Sequence, residues 1–544
     1  MTVLPGSLTG VPQYDLIVIG GGINGAAIAR EAALHGHSVL LLEREDLCSG
    51  TSAAATRLIH GGLRYLEYAE FGLVYESLRE REYLLRMAGH LVTPIPIYIP
   101  AYAGARRARW QISLGLSLYD TLSWRKSLPW HKSLSGEQMR EALPGLLTDG
   151  LRGGAFYYDA QVTWPERLVV ELCADAAQNG AIIRTHTPVT QVIAEGGQVR
   201  GVEYRDAGET RRAAASVVVN AAGPWVDRIA AGHATRRLIG GTRGSHLVIR
   251  PVAGLPEVAL YVEAVSDGRP FFIVPWNGLL LIGTTDVRFD GDPANVSVTD
   301  AERRWLIDET QRLFPQAEGI EQAICYGYSG IRPLPFRSQG TPGSITRRHL
   351  VHAHTRVEGL FSIIGGKLTT HRALAEDVLR AIRPRLPHPV RRAGSADRAL
   401  TGTLDANERS ELEVEITARS DAALAQRLLD VYGATAAELI ELASDSSELG
   451  MVLGPQSEVL VAELEHAFAA QWARTITDFL QRRCMSGLAA DRGLRDAEYA
   501  ASWLVRLGRL ERDEALGQLE SYRAWLRRHR PGPQPSHRHP CPRA

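Results

Sequence analysis

The sequence predicts a chain of mixed class, α/β and α+β: a Rossmann-like domain, a β-rich domain inserted in it, and an all-helical C-terminal domain. Three observations predict this plan. An apolar strand runs into a glycine turn and then into Ala-rich helical sequence between Tyr14 and Leu34. Apolar runs of the buried-strand kind recur far downstream, at residues 217–221 and 360–364, with β-rich sequence interleaved. From about residue 406 to residue 528 the periodicity is almost wholly helical, with Leu, Ala and paired charges.

The first element reads Tyr-Asp-Leu-Ile-Val-Ile-Gly-Gly-Gly-Ile-Asn-Gly over residues 14–25. This strand–turn–helix is suited to a dinucleotide pyrophosphate. Gly20 permits the tight turn, Gly22 lets the backbone approach the phosphates, and Gly25 lets the helix pack on the strand, with Asn24 beside it. The helix N-terminus offers free N–H groups and a positive dipole to the anion. A second strand at residues 38–42 ends in Glu43, where a carboxylate can accept bonds from a ribose hydroxyl and would repel a 2′-phosphate. A lone glycine fingerprint is a weak signal; strand, turn, helix, second strand and terminal acid in order are a strong one. The fingerprint argues against NADP and leaves NAD and FAD both open.

A Ser/Thr/Ala/Gly-rich segment follows at residues 48–64, then an amphipathic helix at 68–87. Residues 91–133 read as aliphatic strand material mixed with Trp110, Trp124 and Trp130 and with Arg106, Arg107, Arg109, Arg125, Lys126 and Lys132. A helix is expected at 165–179, ended by Gly180, and strands at 181–184, 189–194 and 199–204. The most apolar stretch, 270–285, is broken by Pro275, Asn277 and Gly278 and reads as paired strands, not a membrane span. Residues 386–407 have linker composition. The expected domains are a discontinuous nucleotide domain (12–75, 150–235, 345–385), a substrate domain (76–149, 236–344), a helical C-terminal domain (405–530) and a disordered Pro/His/Arg-rich tail (531–544).

With 544 residues and 45% hydrophobic content, the chain can fill several cores. Lys+Arg and Asp+Glu both number 61, so net charge offers no argument for a nucleic-acid partner. Cys48, Cys173, Cys325, Cys484 and Cys541 are scattered without metal-site spacing, which fits a reducing cytoplasm and speaks against a disulfide framework or a zinc site. No secretory signal pattern and no transmembrane segment is seen.

Four later segments are read together with the fingerprint. They are Thr51-Ser52 through His60-Gly61-Gly62-Leu63-Arg64-Tyr65-Leu66-Glu67; Asn220-Ala221-Ala222-Gly223-Pro224-Trp225; Ile282-Gly283-Thr284-Thr285-Asp286; and Gly365-Gly366-Lys367-Leu368-Thr369-Thr370. The set resembles the FAD-dependent glycerol-3-phosphate dehydrogenases, within the D-amino-acid-oxidase-like flavoenzymes, from about residue 14 to residue 380 and more weakly through the helical domain. The resemblance implies FAD as cofactor. A flavin beyond the pyrophosphate needs a second cradle, and Ser49, Thr51, Ser52, Ala222, Gly223 and Gly366 to Thr369 are of the right kind. Lys367 would put positive charge near the reduced ring.

The resemblance also implies a reaction: hydride transfer from C2 of sn-glycerol 3-phosphate to the flavin, giving dihydroxyacetone phosphate. Arg332, Arg64 and Arg347 are the expected phosphate and hydroxyl anchors, because arginine keeps its charge and offers a bidentate fork. His60 is the first candidate for the base that takes the C2 hydroxyl proton, and His246 the second. Asp286 is expected to orient an arginine or the base, or else to be a turn carboxylate; Tyr65 either bonds substrate or packs beside Leu66. One departure stands out. The family carries an acidic pair before the Arg-Leu near residue 167, whereas this chain has Pro165-Glu166-Arg167-Leu168. Proline suits a first helical turn, so the helix is expected to persist.

Flavin and substrate motifs are shared by quinone-linked dehydrogenases and by oxygen-using oxidases that make hydrogen peroxide. The Trp and basic residues of 106–132 suit either a membrane interface, where quinone is collected without a span, or a domain surface with buried Trp. The leading expectation is a quinone-linked, cytoplasmic enzyme peripheral to the inner face of the plasma membrane. Alternatives are the oxidase, an amino-acid or hydroxy-acid oxidase, and a non-catalytic nucleotide sensor. The oligomeric state stays open, a homodimer among the options.

Overall fold

The computed structural model describes residues 10–529 apart from 125, 341–342, 344 and 388–393. The expected tail, Cys541, Arg125 and part of the linker therefore lie outside the described residues. A six-stranded sheet forms the nucleotide domain. Its spatial order is Leu350–Ala353, Leu360–Ile364, Val218–Asn220, Leu16–Ile19, Val39–Leu42 and Ile182–Arg184, and only the Leu350–Ala353 edge runs antiparallel to its neighbour. Every residue of Leu16–Ile19, Val39–Leu42 and Leu360–Ile364 is buried, as parallel strands covered on both faces require. The helix Ile23–Leu34 is nearly all buried between this sheet and the helices Pro165–Gln178 and His371–Ile382. Its alanines permit the close approach, and Arg30 meets Asp175 at 2.5 Å inside the contact.

A four-stranded sheet containing Val189–Glu195, Gln198–Asp206 and Glu209–Ala215 is joined by Gln13–Tyr14. A ten-stranded mixed sheet forms the substrate domain. Within it Pro270–Trp276 and Leu279–Gly283 pair antiparallel around Asn277 and Gly278, both at positive φ, the two-residue hairpin turn the sequence implied.

Two expectations require correction. Strand Leu151–Val162, grouped by sequence with the nucleotide domain, is hydrogen-bonded along its length to Val92–Tyr102 in the large sheet. Its partner lies distant in the chain, so nothing local announces the pairing. Residues 109–122, read as strand material, form the helix Arg109–Leu122. Ile112, Leu116 and Tyr119 are buried while Trp110, Leu114 and Leu118 are exposed, so apolar residues on both faces blur the period of 3.6.

Seven helices from Ala406–Arg419 to Arg512–Arg528 make up the C-terminal region. Those before about residue 445 join the main core, as do Leu460, Ala462, Met485 and Leu488 further on, whereas most buried apolar residues from Leu453 to Leu526 enclose a second core. Among the described residues no helix is long and apolar enough to cross a membrane.

Candidate active site

One cavity of about 900 Å³ runs along the C-terminal ends of the parallel strands, where an open α/β sheet places its ligand. Of the cofactor residues expected from sequence, all line it except Gly25. Gly25 acts from beneath: a Cβ there would fall 1.9 Å from the Gly20 carbonyl oxygen, so helix and turn meet only because it is glycine. Gly366, at φ +95°, abuts Asn24 in the same way, and Asn24 Nδ2 donates to the Gly365 carbonyl at 3.3 Å. Asn24 Oδ1 is buried without a hydrogen-bond partner, as is Trp225 Nε1 further along the wall. Orphaned polar atoms and a backbone-lined trough fit an extended dinucleotide that completes them.

Side chains shape the trough as much as they line it. Glu43 Oε2 accepts from Gly21 N–H at 2.6 Å, and its Oε1 accepts from Glu45 N–H at 2.9 Å. Burial raises its carboxyl pKa. Ser52 Oγ accepts from Ile23 N–H at 2.9 Å, which satisfies one free donor of the dinucleotide helix. Thr51 spends its hydroxyl on the Ile331 carbonyl at 2.6 Å, joining the cradle to the substrate sheet. Asn220 ends its strand wholly buried, donating to the Val226 carbonyl and accepting from Ala222 N–H, and so draws the turn tight.

At the far end Asp286 gathers two arginines. Arg332 Nη1 lies 3.2 Å from Asp286 Oδ1 and Arg347 Nη2 lies 3.0 Å from Oδ2. Arg332 Nη2 also donates to Thr284 Oγ1 at 2.8 Å. Both arginines line the cavity and Asp286 does not, so of the readings open for Asp286 the structure favours orientation of arginines. Burial, with Arg347 adding repulsion, lowers the Arg332 pKa, and Asp286 opposes the shift. Arg64 is placed otherwise. It lines a neighbouring cavity of about 930 Å³, and its Nη2 donates to Tyr68 Oη at 3.4 Å.

His60 and His246 both line the main cavity. Burial pushes each pKa down to about 3, helped by Lys367 at His60 and by Arg332 at His246, so both rings are neutral at physiological pH. His246 Nε2 lies 2.9 Å from Thr56 Oγ1, and its ring stacks on Tyr328 at 5.0 Å. The His60 backbone N–H donates to Thr369 Oγ1 at 3.3 Å. Beneath it Gly61 N–H donates to Tyr119 Oη at 2.7 Å, and Tyr119 in turn donates to buried Asp159. Lys367 Nζ lies 4.1 Å above the Tyr65 ring and 3.0 Å from Ser77 Oγ; burial lowers its pKa to about 7. Its charge sits with Tyr65 and the helix Phe71–Met87.

Sequence reasoning missed Thr56, Thr284, Tyr119 and Asp159. Thr56 and Thr284 stand inside motifs it had singled out. Tyr119 and Asp159 carry no local signal. Glu166, in the segment that departs from the family pattern, is not in the cavity: it forms a buried bidentate pair with Arg57 at 2.8 and 2.9 Å.

Fold and cavity together define an α/β protein of the dinucleotide-binding class, with two arginines on one aspartate at the far end of the cavity. The chain belongs to the FAD-dependent oxidoreductases: the family model described as FAD dependent oxidoreductase matches residues 15–372, and the C-terminal domain of alpha-glycerophosphate oxidase matches residues 394–510. FAD is its cofactor. Within that family it is similar to the glycerol-3-phosphate dehydrogenase of Synechocystis sp., with 42% identity over 86% of this chain and 88% of the relative. It is also similar to the D-erythritol 1-phosphate dehydrogenase of Brucella abortus, with 36% identity over 90% of this chain and 96% of the relative. The crystal structure of glycerol-3-phosphate dehydrogenase from Bacillus halodurans complexed with FAD superposes with a TM-score of 0.76 at 25% identity, covering 96% of both chains.

Proposed function

We propose that this protein oxidises sn-glycerol 3-phosphate to dihydroxyacetone phosphate and passes the electrons to a membrane quinone. The observation that carries the reading is the Arg332–Asp286–Arg347 cluster, which opens into the same cavity as the nucleotide trough with two neutral histidines nearby. When bound, FAD supplies the acceptor for the C2 hydride. Arg332 and Arg347 hold the phosphate, with Asp286 fixing their forks and offsetting part of their mutual repulsion. His60 takes the C2 hydroxyl proton, and His246 is the second candidate for that role. Tyr65 closes the floor under Lys367. Arg64 supports the site from the neighbouring cavity.

Quinone as acceptor is supported by one surface. Trp110, Leu114 and Leu118 recur at four-residue spacing and are exposed on Arg109–Leu122; Phe71 and Tyr75 are exposed on the helix packed beside it, and Trp124 and Trp130 are exposed close by in the chain. Such an apolar stripe with Arg and Lys at its margin suits the inner face of the plasma membrane. The oxidase is the competing reading.

Adding sn-glycerol 3-phosphate to the purified holoenzyme without oxygen should bleach the flavin absorbance, and a quinone analogue should restore it. D-erythritol 1-phosphate bleaching faster would reassign the substrate. Peroxide formed in air at the full turnover rate would replace the quinone reading with the oxidase.

A further inference from the structure

Glu43 and Ser52 bracket a loop that supplies much of the nucleotide trough. Glu43 and Cys48 bond Gly21, one through a carboxylate and one through its N–H, and Ser52 bonds the next helix N–H. Halfway along this loop stands Asp46, wholly buried, which does not line the cavity. Its carboxylate is consumed by the C-terminal region. Arg483 grips both oxygens, at 2.8 and 3.0 Å, and Arg482 Nε reaches Oδ2 at 2.5 Å.

The arginines are themselves fixed. Arg483 donates twice to the Gln471 carbonyl, at 2.9 and 2.7 Å, and Arg482 donates to Asp478 at 2.8 Å. Asp478 also meets His186 Nε2 at 2.8 Å, and the His186 backbone N–H donates to the Glu45 carbonyl at 2.6 Å. The helical region thus holds the loop directly at Asp46 and, through His186 of the nucleotide domain, at Glu45. Two guanidinium groups and two carboxylates balance in charge, which is what lets so polar a cluster stay buried.

We propose that the C-terminal helical region sets the affinity for FAD by clamping Asp46 through Arg482 and Arg483, which presents the loop between Glu43 and Ser52 in its binding conformation. Asp46 is a positioning residue. Without the clamp the loop must be ordered at the moment of binding, and that cost comes out of the affinity. The inference concerns the cofactor end and holds whichever polyol phosphate the other end takes.

The test is titration of FAD into full-length apoprotein, followed by quenching of flavin fluorescence. Asp46→Asn leaves two buried guanidinium groups facing a neutral amide and should raise the Kd for FAD by about tenfold to a hundredfold. Arg482→Gln retains the bidentate Arg483 grip, so it should fold and give a smaller rise of about threefold to tenfold. In both variants the KM for sn-glycerol 3-phosphate at saturating FAD should stay within about a factor of two. Arg474→Ala removes another ion pair across the same contact, the exposed one to Asp206 at 3.7 Å, and should leave the FAD Kd unchanged. A wild-type Kd in Arg482→Gln, or an equal loss of FAD in Arg474→Ala, would overturn the proposal.

Discussion

Two arginine pairs in this protein each share one aspartate, and they sit in opposite settings. Arg332 and Arg347 meet at Asp286 on the wall of the main cavity, with side chains 25% and 13% exposed. Arg482 and Arg483 meet at Asp46, 10% and 0% exposed, and line no part of that cavity. The local chemistry is nearly the same. The surroundings differ: the clamp surrounds its arginines with carboxylates and carbonyls at the contact between two cores, whereas the other pair faces a space large enough for a ligand. Paired arginines on one acid therefore do not mark a phosphate site unless they open to a cavity.

Substitutions at the two pairs should separate by readout. The largest effect is expected from Arg332→Ala, which should lower kcat/KM for sn-glycerol 3-phosphate by about thirtyfold to several thousandfold while the flavin spectrum is retained, since truncating one partner of a desolvated charge pair costs roughly 2–5 kcal/mol. Loss of flavin with an intact KM would instead place Arg332 with the structural clamps. Asp286→Asn keeps both arginines but loosens their aim. Steady-state kinetics should show a KM about tenfold higher, with kcat changed less. The mirror substitution, Asp46→Asn, should act on FAD and spare the KM, so matching phenotypes would erase the contrast.

A smaller effect, but one of opposite sign in the two regions, is expected from pH. Burial holds His60 and His246 near pKa 3 in the folded apoprotein, against about 6.5 for an unfolded histidine. Between those values only the unfolded chain binds the proton, so their contribution to stability rises with pH and levels off above about 6.5. At the clamp, burial works against protonation of His186, but the hydrogen bond to Asp478 and its charge prevail and raise the pKa. That stabilisation is full below about pH 6.5 and is lost as pH rises through the folded pKa. Thermal melts of apoprotein between pH 5 and 8 should show the two slopes. Relative to wild type, His246→Gln should gain melting temperature as pH falls, and His186→Gln should lose it. Parallel slopes would mean that the two environments do not differ as described.

Much of the fold and of the cofactor end was legible because its signals are local. Glycine spacing reports backbone approach within a single turn, and continuous apolar runs such as Leu16–Ile19 report burial on both faces. The helix Arg109–Leu122 was not legible, because exposed Trp110, Leu114 and Leu118 mask the polar face on which helical periodicity depends. At the substrate end the motifs named three arginines alike, and no local rule foretold that Arg332 and Arg347 would line the main cavity and Arg64 the neighbouring one. Tyr119 and Asp159 were silent for the same reason: each acts on Gly61 only after a helix and a strand have packed.

By itself the sequence determined the nucleotide trough and the family, since both rest on backbone demands met within a few residues at Gly20 to Gly25, Asn220 to Gly223 and Gly365 to Thr369. Only the tertiary structure decided which charges meet. Asp286 reaches Arg347 across 61 positions and Asp46 reaches Arg483 across 437, and such pairings are settled by how sheets and helices dock, because a charge buried between them must be matched by whatever segment arrives there.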